Sequence, residues 1–332
     1  MTLKTSLVVT SIASPQKILK ALAQGAHKNS WNFIMIGDLP SPKDFHLEHC
    51  DYYSLEKQSE LSLAFAQSCP TRHYSRKNIG YLLAIKNGAD VIVETDDDNM
   101  PLDAFWNERK LKHQVPLIEN EGWVNAYSYF TQTPIWPRGF PLENIQKKNP
   151  LLPTLKKEIH APIQQGLADD NPDVDALFRL IFPLPLKFEK NQIGLGKNVW
   201  CPFNSQNTTF FKEAFPLLYL PSYCSFRMTD IWRSFVAQRI CWENEWPLLF
   251  HESTVYQERN EHDLLKDLKD EVPGYLNNAK ICQALEKLNL KKGVSEIPQN
   301  IKRCYETLIE NRWIEAGEMK LLEAWLSDLS TQ

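Results

Sequence analysis

Ala89-Asp90-Val91-Ile92-Val93-Glu94-Thr95-Asp96-Asp97-Asp98-Asn99 is the stretch on which the fold turns. A short run of strand-forming residues empties directly into consecutive aspartates. Ala89 to Glu94 reads as a buried strand. Asn87-Gly88 just ahead of it suits the stop of a helix running from Arg76 to Asn87. Further upstream, Trp31 to Ile36 reads as a strand that ends at Gly37-Asp38, and Leu7 to Ile12 as the first strand. Between those two, Ser14-Pro15 offers an N-cap and a first-turn proline for a helix to about Ala26. A β-α-β-α-β order implies a parallel sheet covered by helices. Ligands of such sheets gather at the carboxyl ends of the strands. Ser11, Asp38 and Asp96-Asp97-Asp98 all fall at such ends and are expected to share one crevice.

Downstream of the acidic run the chain, from about Pro101 to Asn198, is broken often by proline and reads as loops and short strands. Asp230 to Asn244 then predicts a helix, and Leu248 to Gln257 a strand. Beyond His262 nearly everything is helix-forming, with apolar stripes at helical spacing in Ile281/Leu285/Leu288, Ile301/Tyr305/Leu308 and Leu321/Trp325. The expected organisation is an α/β domain over 1–262 and a helical C-terminal extension over 263–332. The stripes of that extension predict packing onto the domain or a homo-oligomer.

Composition narrows the function. Of 332 residues, 43% are apolar and 23% charged, an ordinary globular mix. Glycine is scarce at 12 residues, so a ligand loop built from several glycines is disfavoured. The net charge is −4 with no dense basic block, which argues against a nucleic-acid partner. The cysteines number seven and form no C-x-x-C, as expected of free thiols in a reducing compartment. No apolar run reaches the ~18 residues of a membrane-spanning helix. A soluble, cytoplasmic protein is the expectation.

Several familiar sites fail on spacing. Gly194-Leu195-Gly196-Lys197-Asn198 lacks the earlier glycine and the hydroxyl of a phosphate loop. No dinucleotide fingerprint, H-E-x-x-H or G-x-S-x-G occurs. The acidic run is different. In an extended segment Asp96 and Asp98 face the same side while Asp97 points away or bonds the backbone. Two carboxylates side by side need a cation, and Mg²⁺ or Mn²⁺ shares its oxygen shell with phosphates. This pattern proposes a metal–diphosphate site. Arg72, Arg76, Lys77 and Asn78 precede a helix carrying Gly80, and the cations at that helix start, Arg76 and Lys77 above all, are candidate phosphate contacts. Asp230, flanked by Arg227 and Arg233, reads either as a first-turn acid or as a general base. Arg138 is a further anion contact, and His262 a candidate imidazole ligand for the metal. Asn204 and Gln206 lie in a polar run that suits a hydroxylated ligand.

Together these segments resemble the STELLO-type glycosyltransferase family. The resemblance is carried by Ile79-Gly80-Tyr81-Leu82, Glu94-Thr95-Asp96-Asp97-Asp98-Asn99 and Trp136-Pro137-Arg138-Gly139-Phe140-Pro141. Asp173-Val174-Asp175-Ala176, Pro202-Phe203-Asn204-Ser205-Gln206-Asn207, Ser225-Phe226-Arg227 and Asp230-Ile231-Trp232-Arg233 complete it. It spans about residues 72–263, and the helical tail lies outside it. The reversibly glycosylated polypeptides, which are nucleotide-sugar mutases, are similar at greater distance. The resemblance implies a GT-A-like, nucleotide-binding mixed sheet flanked by helices. It implies an inverting hexosyl- or pentosyltransferase that moves a sugar from a UDP-sugar to a hydroxyl. Carried onto this chain, Asp96 and Asp98 would hold the metal. Thr10-Ser11-Ile12 and Asp38 would hold base and ribose, with Asp97 beside them, Asp175, Arg227 and Arg233 would contact the substrate, and Asp230 would deprotonate the acceptor. Plant members of the family are membrane-anchored Golgi proteins. An anchor-free relative reads as an enzyme of surface glycan or glycolipid synthesis. A nucleotide-sugar mutase and a non-catalytic scaffold are the alternatives.

Overall fold

The computed structural model describes residues 3–258 and 263–331. Its main sheet contains β1 Thr5–Thr10, β2 Asn32–Ile36, β3 Asp51–Tyr53, β4 Val91–Thr95 and β5 Asn99–Pro101. The later strands are β6 Leu117–Ile118, β7 Ile163–Asp169, β8 Gln192–Leu195, β9 Asn207–Phe211 and β10 Leu248–Gln257. Their order is β3-β2-β1-β4-β9-β7-β10-β8-β6, with β5 paired to β10. The first four of that order run parallel. β9 is antiparallel to both its neighbours, and β10 runs parallel to β7. The carboxyl ends of β1, β2, β4, β7 and β10 therefore meet the start of β9 along one edge.

Alternation sets the layers. Leu7 and Val9 of β1 face one side and pack with Ile18, Leu19 and Leu22 of α1 (Lys17–Lys28). Val8, Ile34 and Ile36 face the other and join the large core beneath α4 (Lys77–Lys86). There the helix comes close: a Cβ at Gly80 would lie 2.6 Å from Val8 Cγ1. A scarce glycine is kept where the helix must touch the sheet. Two short helices, α2 Leu55–Ser59 and α3 Ala64–Ser68, precede α4, and α5 (Ala176–Ile181) follows β7.

The remaining helices are α6 Thr229–Glu243, α7 Leu264–Glu286, α8 Ile297–Glu310 and α9 Glu318–Ser330. The stripes seen in the sequence are buried inward: Ile281, Leu285, Ile301, Tyr305, Leu308, Leu321 and Trp325 belong to the same core as the sheet. Two carboxylates of α9 latch it down. Asp328 accepts the backbone N–H groups of Ala64 and Phe65 at 2.9 and 2.8 Å, capping α3 from a distance in sequence. Glu318 accepts those of Ser222 and Tyr223 at 2.8 and 2.7 Å.

The mixed α/β architecture expected from the sequence is the one observed. One cap reading is corrected. α1 begins at Lys17, and Gln16 precedes it without a side-chain cap bond. The Gln16 amide instead donates to the backbone oxygen of Asp97 at 3.0 Å, a tertiary contact that outcompetes the Ser14-Pro15 start. All seven cysteines are free thiols. Among the described residues no helix is long and apolar enough to cross a membrane.

Candidate active site

A cavity of about 720 Å³ opens along the carboxyl edge of the sheet. That size is within the usual range for small-molecule sites. Thr10, Ser11 and Ile12 at the end of β1, Asp38 beyond β2 and Asp96, Asp97 and Asp98 beyond β4 all line it. Arg76, Arg138, Gln206, Arg227 and Asp230 line it as well. These expected site residues, scattered from 10 to 230 in the chain, are brought together.

The aspartates diverge in partner. Asp96 Oδ1 accepts from the Tyr74 hydroxyl at 2.6 Å and from Lys77 Nζ at 3.1 Å, and its side chain is 29% exposed. Asp97 turns toward β1, where its carboxylate accepts from the Ser11 hydroxyl. Burial pushes the Asp97 carboxyl above its ordinary range, a shift the Ser11 hydrogen bond opposes. Asp98 accepts from the Gln257 amide at 2.9 Å. Asp38 accepts the backbone N–H of His73 at 2.9 Å, tying the loop before α4 to the end of β2.

Asp96 and Asp98 supply two hard oxygen donors at one strand end, a partial ligand set that suits Mg²⁺ or Mn²⁺ when phosphate oxygens complete it. Among the described residues no three His, Cys, Asp or Glu side chains gather as a closed cation site. His262 lies outside the described residues.

Two expected phosphate contacts are corrected. The Arg76 guanidinium is buried and donates to the Gln58 side chain and to the carbonyl oxygens of Cys69 and Pro70. Lys77 is fully buried, with Nζ engaged by Thr95 O at 2.8 Å, the Tyr74 hydroxyl at 2.7 Å and Asp96. Both cations build the site's walls, their hydrogen bonds going to protein groups.

On the far side of the cavity Arg138 forks between two carboxylates. It donates to both oxygens of Asp173 at 2.8 Å and to both oxygens of Asp230 at 3.0 and 2.8 Å. Local packing explains its placement. Gly139 has φ +86°, and a Cβ there would lie 2.4 Å from Ile231 Cγ2, so the Arg138 turn can press onto α6 only as glycine. Asp230 also accepts the backbone N–H and the hydroxyl of Ser205, both at 3.2 Å. Burial pushes its carboxyl up, but Arg138, Arg233 and the Ser205 N–H together outweigh burial and hold it at about 2. A carboxylate so held is a poor proton acceptor near neutral pH, so the geometry speaks against the expected general base. Asp230 positions Arg138 and the Ser205 loop.

Three further expected ligand contacts lie outside the cavity lining. Asp175 is the N-cap of α5, accepting from Phe178 N–H at 2.7 Å and from Trp136 Nε1 at 2.8 Å. Burial raises its carboxyl to about 6 against those hydrogen bonds. Asn204 is buried and braces its own loop, donating to the Tyr127 hydroxyl and accepting from Gln206 N–H. Arg233 pairs with Glu94 through two bonds of 2.9 and 2.6 Å, both side chains being essentially unexposed. Arg227 lines the cavity but leans on Glu271 of α7, with 2.7 and 3.0 Å contacts. Tyr74, Asp173, Gln257 and the half-exposed Phe226 line the site without having been singled out as site residues. Gln257 was within reach, since it ends a correctly predicted strand.

Fold and cavity define the class: an α/β ligand-binding protein whose site sits at the carboxyl edge of its parallel strands. A family profile described as STELLO glycosyltransferases matches residues 227–332. The chain is 28% identical to probable glycosyltransferase STELLO2 of Arabidopsis thaliana over 97% of its own length and 44% of the relative's. It is 30% identical to probable glycosyltransferase STELLO1 of the same plant over 71% of its length and 33% of the relative's. The chain thus spans less than half the length of these curated relatives. It belongs to the STELLO-type glycosyltransferase family. The profile also covers α7 to α9, which corrects the expectation that the helical tail lies outside the resemblance. Among solved structures, glucosyl-3-phosphoglycerate synthase from Mycobacterium tuberculosis overlaps 84% of this chain and 80% of that one, at 11% identity and a TM-score of 0.45.

Proposed function

We propose that this chain is a GT-A-like, metal-dependent glycosyltransferase that moves a sugar from a nucleoside-diphosphate donor, with UDP favoured, to an acceptor hydroxyl. The observation that carries the reading is the strand-end run Asp96–Asp98 lining one cavity with the ends of β1 and β2. Family membership supports the reaction class.

Asp96 and Asp98 would hold Mn²⁺ or Mg²⁺, which when bound offsets the negative charge developing on the leaving diphosphate. Lys77 and Tyr74 fix the Asp96 carboxylate, so it need not reorganise when a ligand arrives. Ser11, Ile12 and Asp38 would receive the nucleoside, with Asp97 holding the Ser11 hydroxyl in place. Gln206, Arg138 and Arg227 face the sugar and acceptor end. The pair Asp230–Arg138 keeps that end charged and ordered, and a base-assisted inversion would need a group other than Asp230.

The test is product analysis after incubation with a panel of nucleoside-diphosphate sugars, with and without an acceptor glycan, in Mn²⁺. Metal-dependent transfer to the acceptor, lost in Asp96→Ala/Asp98→Ala, is expected. Isomerisation of the donor alone would mark a mutase, and no conversion of any donor would leave a scaffold.

A further inference from the structure

The cavity as described has a charge problem. Its lining carries Asp38, Asp96, Asp97, Asp98, Asp173 and Asp230, while most of its cations are already engaged. Arg138 is divided between Asp173 and Asp230, Arg227 rests on Glu271, and Arg76 is turned into the protein. Even with a divalent metal on Asp96 and Asp98, a diphosphate arriving here meets excess negative charge unless a protein cation also receives it.

Arg72 is that cation. It lines the cavity and is exposed, and it makes no ion pair among the described residues. Its backbone lies in the left-handed region at φ 55°, which is strained for a residue with a Cβ. The loop holding it in that conformation is pinned on both sides. Before it, Arg76 grips the carbonyl oxygens of Cys69 and Pro70 at 3.0 and 3.3 Å. After it, the His73 N–H is fastened to Asp38 at 2.9 Å. The buried Arg76 thus serves as the anchor of a loop whose tip carries the free guanidinium. Strain maintained by surrounding contacts, at a cavity lip, beside an unpartnered charge, is characteristic of a binding site.

We propose that Arg72 is the phosphate clamp of this site, receiving with its planar fork the diphosphate of a donor held in the cavity it lines with Asp96–Asp98. This deepens the donor reading above and rests on it. A guanidinium suits the role because it presents parallel N–H donors to phosphate oxygens and never loses its charge. The loop's tie to the nucleoside end is a backbone contact, His73 N–H to Asp38, which a change of the Arg72 side chain leaves in place.

The test is titration calorimetry of the full chain with UDP and with uridine in Mn²⁺, using Arg72→Ala, Arg72→Lys and Arg72→Gly. UDP should bind Arg72→Ala about tenfold to a hundredfold more weakly, the scale of a lost charged hydrogen bond. Uridine should bind unchanged, and Arg72→Lys should recover part of the loss. Arg72→Gly, which relieves the φ strain, should melt no lower than the parent while losing UDP affinity equally. Equal UDP binding by parent and Arg72→Ala overturns the clamp and leaves the donor reading intact. Parallel loss of UDP and uridine overturns it in favour of loop collapse. Failure of the parent to bind any nucleoside diphosphate overturns both.

Discussion

Replacing Asp230 by asparagine separates a positioning carboxylate from a catalytic base. In the structure both Asp230 oxygens face Arg138, at 3.0 and 2.8 Å, and one also accepts from Ser205. Asparagine keeps one acceptor and turns an NH₂ toward the guanidinium. Breaking a buried ion pair costs ~3–5 kcal/mol, but here Asp173 stays bonded to Arg138 and keeps it partly compensated. The lower end, about 3 kcal/mol, is the expected loss. Proton linkage gives a similar size: a carboxyl held at about 2 in place of the ordinary 3.8 corresponds to roughly 2–3 kcal/mol. That stability is present above pH 4 and lost as pH falls toward 2, because the unfolded chain takes up the proton first. Urea unfolding of parent and Asp230→Asn at pH 7 and pH 3 measures both. The variant should lose about 3 kcal/mol at pH 7, with the gap narrowing in acid. A loss under ~0.5 kcal/mol, with turnover abolished and UDP binding intact, would refute this reading and restore Asp230 as a base.

Glu94→Ala should be among the most damaging core changes, since it strands Arg233, which is 1% exposed, and we expect ~3–5 kcal/mol by chemical denaturation. Glu94→Gln, which keeps the shape, should recover little of it. Asp175, raised to about 6, works in the opposite sense from Asp230: its share of stability is full below about pH 4 and is lost as pH rises through 6. Asp175→Asn should remove up to ~3 kcal/mol of that falling limb, readable from melting temperatures between pH 4 and 7. Asp328→Ala should release α9 from the N–H groups of Ala64 and Phe65, costing ~1–2 kcal/mol and raising hydrogen exchange in α3 and α9 ahead of the sheet.

How far the residues announce this structure depends on the range of the interaction. Strand runs such as Val91–Thr95 and Leu248–Gln257 were legible because burial imposes a local composition. β3 and β6 span too few residues to show an alternation, so they escaped notice. The strand-end aspartates were legible as a site because topology alone sends them to the carboxyl edge. Arg76 and Lys77 were misread as ligand contacts because their partners, Gln58 and Thr95 O, are distant in sequence and burial is invisible there. The same blindness affected Asp230. Its flanking arginines are neighbours in sequence, yet the group that sets its charge is Arg138, 92 positions away. Arg72 shows the reverse case, an arginine singled out because it makes no ion pair among the described residues.

Everything proposed for the site depends on the strand-end aspartates receiving a metal-bound diphosphate. Calorimetric titration of UDP into the parent chain and into Asp96→Ala/Asp98→Ala, each in Mn²⁺ and in EDTA, tests this directly. The parent should bind UDP at least about tenfold more tightly with Mn²⁺ than without, about 1.4 kcal/mol or more, and the variant should lose that difference. UDP affinity indifferent to Mn²⁺ and to both aspartates would contradict it.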